Sequence, residues 1–111
     1  MLIIRQEQMA ALAAYSRQVF RKRMIEHVQR DFRRRALELG PEGVSTLVDG
    51  SIQRALRFGI DDEDDLKAFI GLSVELGDGF EQGPGMEWAL EILRKSSMTG
   101  HAKIQLLRQL R

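Results

Sequence analysis

The densest set of acidic ligands in this chain is the run Asp61-Asp62-Glu63-Asp64-Asp65. A calcium loop of the EF-hand kind needs oxygen ligands at alternating positions, glycine at the sixth and glutamate at the twelfth. Counted from Asp61, those places hold Leu66 and Leu72, so the loop fails. The run suits a helix start better. There one Asp side chain accepts from free backbone N–H groups, and its neighbours sit against the positive end of the helix dipole. His27 and His101 are the only histidines, and cysteine is absent. Without Cys, a His-x-x-x-His pair or Gly-x-Ser-x-Gly, neither a zinc site nor a hydrolase elbow can be assembled. Gly77-Asp78-Gly79 and Gly83-Pro84-Gly85 are not followed by Gly-Lys-Ser/Thr, so they form no phosphate loop. The expectation is a non-enzymatic chain with no metal and no cofactor. His27 reads as a satisfied, half-buried side chain, and His101 as exposed near the start of the last helix.

Cations are the remaining candidate chemistry. Residues 1–39 carry nine Lys/Arg against four Asp/Glu, residues 40–93 three against twelve, and residues 94–111 five against none. The chain is therefore basic, acidic, then basic, although its net charge is only +1. On one continuous helix Arg17, Arg21 and Arg34/Arg35 fall loosely on one side, away from the apolar stripe. Arg17, Arg21, Arg34 and Arg35 are the expected partner-binding residues, a docking face for an acidic protein. Nucleic acid is the alternative ligand for such a face. Against it stand a pI of about 8.2, 6% aromatic residues and no helix-turn-helix or stacking motif.

The elements that must position these residues follow from apolar spacing. Met9, Leu12, Tyr15/Ser16, Val19/Phe20, Met24, His27/Val28 and Phe32 recur at three- and four-residue steps, and no Gly or Pro interrupts them. That predicts a long first helix over Gln6–Phe32, with Arg33–Leu39 either its continuation or a separate turn. Ala10, Ala11, Ala13 and Ala14 favour helix and would let another helix approach closely. Gly40-Pro41 stops it, and a second stripe runs from Val44 to Phe58, closed by Gly59 with Ile60 folding back. A third helix follows the acidic run through Leu66, Phe69, Ile70 and Val74. Gly77–Gly85 holds four of the ten glycines and reads as a loop. Met86–Arg94 predicts a fourth helix with Trp88, Ala89, Ile92 and Leu93 inward, and Ala102–Leu110 a fifth whose apolar stripe runs through Ile104, Leu106/Leu107 and Leu110. The fold class is all-α, an irregular bundle of about five helices with a long first helix, in one domain over 1–111. No stretch approaches the roughly 18 apolar residues of a membrane span. Met1-Leu2-Ile3-Ile4 stops at Arg5 without the features of a secretory signal. The expected location is cytoplasmic.

Four segments carry a resemblance: Ile4-Arg5-Gln6-Glu7-Gln8-Met9, Arg23-Met24-Ile25-Glu26-His27, Arg54-Ala55-Leu56-Arg57-Phe58-Gly59-Ile60 and Trp88-Ala89-Leu90-Glu91-Ile92-Leu93. Their order resembles small all-helical bacterial proteins encoded beside type VI secretion system effectors, spike proteins and chaperones. That family often has proline after the aromatic that ends helix one, and an acidic residue where Gly71 stands; this chain has Arg33 and Gly71 at those places. The resemblance implies an accessory role, as an adaptor or co-chaperone helping an effector or its chaperone load onto the spike. An immunity protein that binds and neutralises a toxin is the nearest rival. Either role makes protein the partner and leaves self-association open.

Overall fold

The uninterrupted helical run becomes one helix, α1 (Gln6–Asp31), in the computed structural model, which describes residues 6–110 and side chains from residue 16 onward. The apolar arm Leu2–Ile4 and the side chains of the four alanines lie outside that description. Phe32 interrupts the helix, with φ −123° and ψ 47°, although its N–H still reaches the Val28 carbonyl at 2.9 Å. Helix α2 (Arg33–Arg57) starts immediately after it. Arg34 and Arg35 therefore belong to the second helix, and the single arginine face expected from one continuous helix does not form.

Gly40 bends α2 at φ 75° and ψ 167°, a backbone that L side chains rarely adopt, and Pro41 opens the next helical stretch. At the far end Ile60 N–H donates to the Ala55 carbonyl (2.9 Å) and Gly59 N–H to Leu56 (3.1 Å), with Gly59 at φ 79°. That is the Schellman arrangement, and Ile60 is fully buried behind it. Asp62 caps helix α3 (Glu63–Leu76) by accepting from Asp64 N–H at 3.1 Å. The glycine-rich segment is less of a loop than its composition predicts. It holds a 3-10 turn, Phe80–Gln82, which buries Phe80 and Glu81. Helix α4 (Glu87–Leu93) and helix α5 (Gly100–Leu110) complete the chain, α5 capped by the Thr99 hydroxyl accepting from Ala102 N–H. The architecture is all-α, with no strand among the described residues. None of these helices is long and apolar enough to cross a membrane.

Helix α1 packs on α2 and α3, and α5 packs on α3 and α4. Phe20, Met24 and Val28 meet Val44, Val48, Phe69 and Ile70 in the core. Trp88 is only partly buried, and Leu110, the end of the expected apolar stripe, lies exposed on the last turn. Two polar clamps join the helices. The Arg54 guanidinium donates to Glu81 Oε2 (2.9 Å), Asp78 Oδ1 (2.5 Å) and Ser73 Oγ (3.1 Å), and its Cζ lies 5.6 Å from the Phe69 ring centre. Glu81 is fully buried, and its Oε1 has no partner. The Lys103 ammonium donates to the carbonyls of Phe58 (2.7 Å) and Leu93 (2.8 Å), where α2 and α4 end. A cation there meets the negative ends of two helix dipoles.

Arg54→Met leaves Glu81 as a buried, uncompensated charge, so denaturant unfolding should show a loss of about 3–5 kcal/mol. Arg54→Met with Glu81→Met should recover most of it; no recovery would mean that the guanidinium matters through packing alone. Gly100 stands where a Cβ would be 2.5 Å from the Gly59 carbonyl oxygen, whereas at Gly50 the nearest atom is the Arg54 side chain at 3.4 Å. Gly100→Ala should cost about 1–3 kcal/mol by overpacking backbone. Gly50→Ala should be neutral or stabilising by up to about 1 kcal/mol.

Candidate docking surfaces

The four predicted arginines divide between two places. Arg17 and Arg21 lie on α1, beside a groove of about 480 Å³ bounded by α1, the last turns of α2 and the start of α3. Arg21 makes a two-pronged contact with Asp49, Nε to Oδ1 at 2.6 Å and Nη2 to Oδ2 at 3.1 Å. That hydrogen bond, and then the charge of Asp49, raise the Arg21 pKa above its usual value. Arg21 is thus a strut between α1 and α2. Arg17 is exposed and has no ion-pair partner among the described residues.

Arg34 and Arg35 sit past the Phe32 break, on the first turn of α2. Arg35 donates to Glu38 Oε2 (2.8 Å) and to the Val74 carbonyl (3.4 Å), so it leans inward and joins α2 to α3. Arg34 points outward, 3.9 Å from Glu38, and is 95% exposed. Arg33 is exposed with no ion-pair partner among the described residues. On a helix Arg33 and Arg34 lie four and three places before Leu37, so the three share one face. Leu37 is 75% exposed, the most exposed of the large apolar side chains described. It borders a cavity of about 310 Å³ with Gln29, Arg33, Ala36, Gly40 and Pro41. Sequence reading passed over Leu37; its one signal was an apolar residue lying off the buried stripe.

The bend that presents this tip depends on Phe32. Its ring meets the His27 ring edge-on at 5.6 Å and packs over Gly71, where a Cβ would touch it at 3.5 Å. His27 has the expected partner but is buried rather than half-buried, bonding Asp31 through Nδ1 at 2.6 Å. The hydrogen bond from Arg30, and then that from His27, hold the Asp31 carboxyl below the ordinary aspartate range. His101 is largely exposed, as expected, yet its Nδ1 lies 2.9 Å from the buried Asp65 carboxylate. Among the described residues no group of three or more His, Asp or Glu could hold a metal ion.

No family model matches this chain, and neither a curated protein nor a solved structure does.

A carboxyl whose folded-state pKa is depressed adds stability above its unfolded pKa and loses it as pH falls through the folded one. Melting curves of wild type and Asp31→Asn should therefore differ at pH 6 and converge as pH falls below about 4. A gap unchanged down to pH 2 would remove ionised Asp31 from the bend.

Proposed function

We propose that this protein is a non-enzymatic adaptor or co-chaperone of type VI secretion, docking an effector or its chaperone for loading onto the spike. The secretion setting rests on the sequence resemblance. The docking chemistry rests on one observation: Leu37 stands three-quarters exposed beside Arg33, which lacks an ion pair, and Arg34, whose nearest carboxylate is 3.9 Å away. An isolated exposed leucine is ordinary. One bordered by two under-used guanidinium groups and a cavity fits an acidic segment carrying an apolar anchor, because charges at the rim steer encounter while the anchor supplies retention.

The tip fits an acidic partner better than the α1 groove does. Around the groove Asp49 and Glu63 bond Arg21 and Arg23, and Asp61 stands opposite Arg17, so no cation is in excess for such a segment. At the tip, Asp31 and Glu38 already bond Arg30, His27 and Arg35, which leaves Arg33 and Arg34 as the excess charge. This division narrows the predicted four-arginine face to Arg34 with its neighbour Arg33. Arg21 and Arg35 are structural struts, and Arg17 belongs to the other surface.

Calorimetric titration of the full chain with the purified effector, effector chaperone and spike protein encoded beside it tests the proposal. One of the three should bind. The variant Arg33→Glu, Arg34→Glu, Leu37→Ser should lower its affinity by about tenfold or more with the helical circular dichroism retained. Arg17→Glu should leave that affinity unchanged. Binding that ignores the triple variant would remove the tip as the docking face, and binding to none of the three would end the adaptor reading.

A further inference from the structure

The groove on α1 has a different character from the tip, and that difference points to its occupant. Its floor is apolar, from Phe20, Ile52, Leu56 and Leu66, with Leu56 44% exposed. Its rim carries both signs of charge. Arg21 is engaged with Asp49, and Glu63 with Arg23 at 2.8 Å. Arg17 on α1 and Asp61 in the α2–α3 turn remain, both exposed and both without an ion pair among the described residues.

We propose that the groove is filled by a second copy of this chain, the two packing about a two-fold axis through α1. In a two-fold pair every contact occurs twice with the roles exchanged. One spare cation and one spare anion on different walls of a single groove are therefore complementary to themselves. Arg17 of each copy meets Asp61 of the other while the apolar floors close together. A wholly acidic segment would face Asp49, Asp61 and Glu63, and a wholly basic one would face Arg17 and Arg21. An occupant of mixed sign satisfies both walls, and a second copy carries that pattern by construction.

The length of α1 supplies the reach. Gln6 to Val19 runs for about 21 Å ahead of Phe20, the first buried side chain among those described. Two such stretches crossing beside the grooves add contact area that a single groove lacks, and a stable interface needs roughly 800 Å² from each partner.

Light scattering on a sizing column, run over a concentration series, tests this with the full chain alone. The wild type should reach the dimer mass by about 100 µM. Arg17→Glu and Asp61→Arg should each raise the dissociation constant about tenfold or more, because like charges then face each other across the axis. The double variant R17E/D61R should regain the wild-type constant, since swapped charges again meet in opposite pairs. Leu56→Glu should give a monomer whose helical circular dichroism is unchanged. A wild type that stays monomeric at about 500 µM would overturn the proposal. So would a dimer indifferent to both single substitutions, or single variants that dissociate without rescue in the double. Because no other protein is present, failure here is distinct from failure of the docking tip.

Discussion

A guanidinium held almost out of water organises the acidic half of this molecule. Arg54 comes from the last turns of α2 and gathers Ser73 of α3, Asp78 of the following turn and Glu81 of the 3-10 turn. Each partner lies on a different piece of chain, so one side chain sets the relation of three segments. Its planar fork suits that task, because five N–H donors leave it in fixed directions. The arrangement is costly to interrupt, since Glu81 is fully buried and keeps one oxygen unmatched. With α2 and the 77–83 segment fixed in this way, α4 has a defined base to pack on. Helix α5 is then secured at its first turns by Lys103 and by the close approach of Gly100 to Gly59.

Bonding across elements separates structural charges from available ones. Arg21 and Arg35 each join two elements, Arg54 joins more, and all three are used up in doing so. Arg33 and Arg34 lie on the first turn of α2 and Arg17 near the middle of α1, and they hold little or nothing. The basic first segment meets the acidic middle at Arg21–Asp49 and Arg23–Glu63, and the last segment meets it at His101–Asp65. Two places combine spare charge with apolar surface: the cationic tip at the α1–α2 bend beside Leu37, and the α1 groove with one spare charge of each sign.

Much of the fold was legible in the sequence because it rests on local rules. The Gly59-Ile60 closure, the Asp62 cap and the Gly40-Pro41 bend are each fixed by residues a few positions apart. The misses were tertiary. Nothing near Glu81 in sequence announces that it meets Arg54, twenty-seven residues earlier. The 3-10 turn was hidden for the same reason, since its glycines argue for a loop while the burial of Phe80 against Phe69 decides the matter. The expected arginine face failed through a single residue. Helical periodicity runs on past Phe32, but its ring has a seat over Gly71, and the chain turns to occupy it. Of the candidate sites, composition could name the cations but could not tell which would find partners.

The buried ammonium of Lys103 has a practical consequence. The chain has four lysines, and Lys22, Lys67 and Lys95 all face solvent while Lys103 does not. An acylating reagent in water has open access to the first three. It will reach the fourth only in those molecules where α5 has lifted from the ends of α2 and α4. The ratio of the two rates is then a gauge of how often that corner opens, read in the native protein without denaturant. Nature has placed the gauge where two helix termini share one proton-rich group, so anything that tightens or loosens the C-terminal helix will register on it.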